Sequence, residues 1–231
     1  MKKPNIYLFS LLSIFALFSL ASCSDDEENK EDNSESGGNQ DVRSYTKCPD
    51  NKHPHAIDLG IGVKWACCNV GASSPEEYGG YYAWGETEEK DYYSVDSYKY
   101  YHSHTGYQSI AYDISSTWYD VAHVKWSGGW HMPSDGQIAT LIDECTSKWT
   151  SINDIYGWKV TGPNGGSIFL PAAGYRYYDY TDDVGSDGYY WSSNQNSYRL
   201  AYAYGLVFDS GSMGWNSCGR DYGRSVRPVT E

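Results

Sequence analysis

The sequence is short of positive charge. Seventeen lysines and arginines stand against thirty aspartates and glutamates, a net of −13. Such a chain repels phosphate backbones and anionic headgroups, which excludes nucleic acid and adhesion to a bilayer through a basic patch. Phenylalanine and methionine are scarce too, with five and three, although aromatic residues make up 16% of the chain. The surplus is 24 tyrosines and nine tryptophans. A core alone favours phenylalanine, whereas rings with polar handles suit wet interfaces, so this imbalance points to binding. No nucleophile elbow, zincin helix or phosphate loop is present, and no enzyme is expected. A carboxylate pair for glycoside hydrolysis is defined by distance and leaves no sequence pattern, so a glycan-active enzyme stays as a lesser alternative.

Long apolar runs are also missing. The longest, Ile6 to Leu20, has fifteen residues, short of the roughly 20 of a spanning helix. It follows Lys2 and Lys3 and ends in Leu20-Ala21-Ser22-Cys23, the layout of a secretory signal over 1–22. The ending resembles the bacterial lipobox, which implies cleavage before Cys23 and lipid, palmitate included, on that residue. From Ser24 to Asp41 come eight acidic residues and one lysine, a stretch that cannot collapse and reads as a solvated tether, taken as 23–47. An acidic run after the lipidated cysteine resembles the surface-export signal of Bacteroides-type lipoproteins. It implies an outer-membrane protein that faces the cell exterior and meets the membrane only through Cys23. Residues 48–231 are then left as one domain, with about 190 residues after the acidic run.

With Cys23 assigned to lipid, five cysteines remain in an oxidising compartment. Five is odd. Cys67 and Cys68 point to opposite faces of a strand and should bond different partners; Cys48 and Cys145 are the candidates, with Cys218 left over. The pairs His53/His55 and His102/His104 lack a third ligand at useful spacing, so no metal is expected. Asp179, Asp182, Asp183 and Asp187 read as a solvated acidic loop rather than a calcium cage.

Patterning predicts short strands and one firm helix. Ser134-Asp135-Gly136-Gln137 has capping-box spacing, followed by Ile138, Leu141, Ile142 and Cys145 on one stripe. A shorter helical turn is predicted from Ser74, with Pro75 at its first position and Glu76 and Glu77 at the positive end of its dipole. Strands are predicted at 56–59, 63–69, 81–84, 157–161, 167–170, 189–192, 201–208 and 225–229, with a turn at Pro163-Asn164-Gly165-Gly166. Residues 88–117 read as an excursion of long loops. The class is α+β, with short antiparallel strands.

Seven segments in order carry a family resemblance: His55-Ala56-Ile57-Asp58-Leu59-Gly60; Val63 through Ala72 with Trp65-Ala66-Cys67-Cys68-Asn69-Val70-Gly71; Tyr81-Tyr82-Ala83-Trp84-Gly85-Glu86; Gly129-Trp130-His131-Met132-Pro133-Ser134; Ile168 through Arg176; Gly188-Tyr189-Tyr190-Trp191-Ser192-Ser193; and Gly223 through Val229. Over about residues 48–229 the chain resembles the Fibrobacter succinogenes major paralogous domain family. That resemblance implies a C-type-lectin-like fold: two helices, the second sought at 74–78, paired N- and C-terminal strands and long loops. It implies no enzyme activity and no cofactor. Related proteins include ligand-binding modules and hypervariable retroelement targets whose variable residues lie near the C-terminus. The calcium tripeptides of lectins are missing, and Trp215-Asn216-Ser217 matches only half of the third ligand strand. The formylglycine-generating enzymes resemble the same fold group, but adjacent Cys67-Cys68 does not reproduce their cysteine pair.

The region 194–222 has the composition of a paratope. Tyr198, Arg199, Tyr202, Tyr204, Trp215, Asn216, Ser217, Arg220, Asp221 and Tyr222 are the predicted ligand contacts, set among glycines and serines. Asn216 through Tyr222 contains none of the residues that adenine-directed mutation of asparagine codons cannot produce. The expected partner is an extracellular protein or glycan. An alternative is an adhesive module of an envelope assembly, bound through the tyrosine-rich loop 92–119.

Overall fold

The computed structural model describes residues 55–231. The signal, Cys23, the tether, Cys48 and His53 lie outside the described residues. The described residues open on β1 (Ala56–Asp58) and β2 (Lys64–Ala66), which pair antiparallel with Ile57 opposite Trp65. A long excursion follows, carrying the small hairpin β3 (Tyr101–His102) and β4 (Gly106–Tyr107). Two helices come next, α1 (Val121–Trp126) and α2 (Asp135–Glu144). Then β5 (Thr146–Ile152), β6 (Ile155–Thr161) and β7 (Ser167–Pro171) form a meander, and β8 (Tyr175–Tyr177) with β9 (Tyr180–Asp182) forms a hairpin. A second meander of β10 (Gly188–Gln195), β11 (Tyr202–Phe208) and β12 (Met213–Gly219) precedes β13 (Val229–Thr230). Strand β13 returns to β2, with Val229 opposite Trp65, so the first and last strands share a sheet. The fold is α+β, built from short antiparallel strands.

Helix α2 forms where the sequence places it. Ser134 accepts from the Gln137 backbone and the Gln137 side chain accepts from the Ser134 N–H, closing the capping box. Ile138 and Leu141 are buried, each contributing about 2 kcal/mol. The second helix is not at 74–78. Those residues make a turn closed by Glu77 N–H to Ser74 O at 3.3 Å. The chain must fold back there: Gly79 has φ +73°, and a Cβ on it would lie 2.5 Å from Val70 O. Helix α1 takes the place of the second helix, capped by the buried Asp120. That carboxylate accepts four backbone N–H bonds, from Ser116, Ala122, His123 and Met132. Burial raises its pKa and those four bonds pull the other way.

Strand β10 runs between two cores because its side chains alternate. Tyr190 enters a cluster with Leu59, Trp65, Leu141, Leu170 and Phe208, and Trp191 enters one with Trp84, Trp126, Trp130 and Val226. Four further differences stand out. Residues 81–84 contribute only a bridge, Tyr82 to Arg224, and 225–229 shrinks to a bridge at Ser225 plus β13. Strands β5 and β12 come from polar segments with no apolar alternation. Cys145 is a thiol at the C-cap of α2, outside any disulfide, and Cys218 is also a thiol. Cys68 is disulfide-bonded, while the Cys67 sulfur lies 3.9 Å from His55 Nδ1.

Candidate functional site

Among the described residues strand β12 is the edge of its sheet and pairs only with β11. On this pair Tyr204 opposes Ser217, and Trp215 sits two residues along the same face. The Tyr204 and Trp215 rings meet edge to face at 5.8 Å, a favourable aromatic geometry. They line a groove of about 340 Å³ with Tyr112, Ser197 and the first turns of α2, where Gly136 and Ala139 leave room for the rings. Trp215 is 64% exposed, Tyr112 54% and Tyr198 93%. Large rings this open have not been recruited to the core.

The open rings stand on a fixed frame. β10 has a bulge between Trp191 and Gln195. There Gln195 N–H donates to Tyr112 O at 2.7 Å, Ser193 N–H donates to Pro133 O at 2.8 Å, and Asn194 Oδ1 accepts from Asp135 N–H at 2.9 Å. The bulge therefore holds the Tyr112 loop and the start of α2 side by side. The turn carrying Tyr198 is closed by Asn196, whose Oδ1 accepts from the N–H groups of Tyr198 and Arg199. Arg199 lies over the Tyr202 ring at 5.4 Å.

Two predicted contacts sit inside instead. Arg220 is 0% exposed. Its Nε donates to Tyr98 Oη and its Nη1 to Leu200 O and Gln108 O, at 2.8, 2.9 and 3.0 Å, and its guanidinium packs over Trp84 at 4.8 Å. It pins the Tyr198 turn from below, a role that a five-donor planar fork fills better than any other side chain. Asp221 is buried as well and accepts from Tyr107 Oη at 3.0 Å; burial raises its pKa. Both lie in the tight turn Gly219–Tyr222 that ends β12, where strand alternation no longer sets the direction of the side chains.

The remaining predictions separate. Asn216 faces the other side of the sheet, in a groove with Asp187, Tyr189 and Val207. Tyr222 belongs to a tyrosine cluster on the β8–β9 hairpin, stacked on Tyr177 at 4.5 Å and 9° and tilted against Tyr175 at 5.7 Å. Tyr202, Tyr204, Trp215 and Ser217 therefore share one face of the β11–β12 pair, Arg199 packs on the Tyr202 ring and Tyr198 stands exposed on the turn before β11, while Asn216, Arg220, Asp221 and Tyr222 lie elsewhere. Sequence reasoning missed Tyr112 and Ser197 as parts of the groove. Asp113, whose Oδ1 accepts from Ser115 N–H, and Asn196 were the available turn signals. Among the described residues no group of three or more His, Cys, Asp or Glu is arranged to hold a metal.

A family profile described as a domain of unknown function, DUF8237, matches residues 142–229, from the last turn of α2 to the start of β13. That span contains β11 and β12 but not Tyr112 or Asp135 on the other wall of the groove. No curated protein matches the chain, and no solved structure matches it. The chain is thus similar, over 142–229, to a domain family whose function is undefined.

Proposed function

We propose that this is a lipid-anchored surface protein whose domain, of C-type-lectin-like type and akin to the Fibrobacter major paralogous family, binds an external protein or glycan through the Tyr112–Tyr198–Tyr204–Trp215 face. The observation that carries this reading is the contrast at that face: rings left open to solvent on a backbone fixed by Asn194, Asn196 and buried Arg220. Rigid aromatic anchors lose little entropy on binding. Among the described residues no helix is long and apolar enough to cross a membrane; in this reading the attachment is the lipid on Cys23. The acidic tether then holds the domain off the bilayer. The retroelement idea narrows to outward positions, because free variation at Arg220 or Asp221 would unpin the turn beneath the face.

Intact cells displaying the wild-type chain, a Cys23→Ala chain and a Tyr198→Ala/Trp215→Ala chain test this against protein and glycan arrays. The first should be surface-bound and ligand-binding, the second should leave the membrane fraction, and the third should stay displayed but lose ligand at unchanged melting temperature. Unchanged binding by the double variant would overturn the reading. The adhesive alternative through 92–119 has its own observation, since Trp118 stands 79% exposed; Trp118→Ala abolishing binding while Tyr198→Ala does not would favour it.

A further inference from the structure

A second concave surface lies away from that face, where the β5–β6 hairpin meets the turn between β11 and β12. It is a shallow trough of about 740 Å³, within the range that holds small ligands. One wall is aromatic. Trp149 and Tyr156 lie nearly parallel, at 8° with centroids 6.2 Å apart, and form an aromatic platform with faces of one orientation. Trp149 is held from beneath by Trp158 at 6.1 Å and Phe208 at 6.4 Å, and Tyr156 is 52% exposed.

The facing wall is polar and preset. Trp158 Nε1 donates to Asp209 O at 2.7 Å, which clamps the β11–β12 turn to the hairpin. Asp209 Oδ1 accepts from the N–H groups of Gly211 and Ser212 at 2.6 and 2.8 Å, and these bonds hold its carboxyl below the ordinary carboxylate range. Asp187 stands opposite, with its Oδ2 accepting from Ser186 Oγ at 2.5 Å. Ser186 and Ser210 add hydroxyls to the lining.

We propose that this trough is a binding subsite for a neutral saccharide. The platform offers π-faces to the C–H face of a pyranose ring, while Asp187 and Asp209 accept from its hydroxyls and the serines donate or accept. Charge selects against acidic sugars. The trough holds two carboxylates and no lysine, arginine or histidine among its described lining residues. The nearby Lys148–Lys159 cross-strand pair points away, because it neighbours Trp149–Trp158 in register and alternates to the other face. Shape selects against a cationic ligand. Parallel rings present faces of a single orientation, whereas ammonium recognition uses rings that surround the charge.

The test is a titration of the full chain in detergent with neutral gluco-, manno- and xylo-oligosaccharides, sialylated and uronic-acid glycans, and a lysine-rich peptide, followed by tryptophan fluorescence. Neutral oligosaccharides should bind. Tyr156→Ala should weaken them about tenfold or more at unchanged melting temperature, and Asp187→Asn several-fold. Tyr198→Ala should leave this binding intact, so the result is separable from the face proposed above. Three results would overturn the proposal: no neutral glycan bound at millimolar concentration, preference for the acidic glycans or the peptide, or neutral-glycan binding that survives Tyr156→Ala and Asp187→Asn.

Discussion

Tyr98 and Tyr198 carry the same side chain in opposite circumstances. Tyr98 is buried, its hydroxyl donating to Trp84 O at 2.7 Å and accepting from Arg220 Nε at 2.8 Å. Tyr198 stands almost wholly in solvent on a capped turn. The two belong to two populations. Tyr81, Tyr93, Tyr98 and Tyr190 hold the interior together by donating to the carbonyls of Ala173, Tyr81, Trp84 and Pro171. Tyr112, Tyr198 and Trp215 are left open at the edge sheet. Each of these four hydroxyls is satisfied, so tyrosine replaces phenylalanine there without an unpaired polar group. Part of the tyrosine surplus is therefore architecture, and part is left in solvent. Arg220 joins the two, since it binds Tyr98 on one side and the backbone under Tyr198 on the other.

Substituting within the buried set should give the largest effect. Tyr98→Ala removes a fully buried ring and is expected to lower stability by about 4 kcal/mol in urea unfolding. Tyr98→Phe keeps the ring and should cost about 1–2 kcal/mol by stranding the Trp84 carbonyl and Arg220 Nε. If Tyr98→Phe also weakens ligand binding at the Tyr198 face, the link through Arg220 is functional as well as structural.

A pH titration should give an intermediate effect. Burial pushes Tyr81 and Tyr93 up from the ordinary 10.0 to about 12. Their folded pKa values exceed the unfolded ones, so the unfolded chain releases these protons first. Their contribution is complete below about pH 10 and is lost as pH rises towards about 12. Unfolding followed by circular dichroism should coincide with late phenolate absorbance, and Tyr93→Phe should remove part of the pH dependence. Early phenolate absorbance with an intact fold would place these hydroxyls in solvent.

The smallest effect belongs to the open set. Tyr198→Ala should change stability by less than about 0.5 kcal/mol, read by the same urea titration. A cost of several kcal/mol would mean that the ring supports the fold and would dissolve the contrast.

Legibility followed locality. Helix α2 was readable because its cap, stripe and length all lie within twelve residues. The β6–β7 turn was readable because Asn164 and Gly165 state their backbone preference directly. Strand β5 was missed although its turn is marked, since Asn153 and Asp154 both take positive φ, the hairpin signature. Its Thr-Ser-Lys-Trp-Thr-Ser pattern shows little because it is an edge strand with one wet face. Helix α1 was missed because six residues with two valines and a tryptophan lack helical propensity; Asp120 and the packing of Val121, Ala122 and Trp126 impose it. At the candidate site, composition singled out the region 194–222, and the register of β11 and β12 divides its residues between two faces and the interior.

The sequence by itself determined the α+β class, the position of α2, the scarcity of basic charge and the surplus of tyrosine and tryptophan over phenylalanine, because each is a property of composition or short-range pattern. Only the tertiary structure decided which aromatic residues are open and which are buried. Burial depends on partners far along the chain, as Arg220 with Tyr98, Gln108 and Leu200 shows. A single-residue alternation along β12, set by its pairing with β11, sends Trp215 outward and Asn216 to the opposite face.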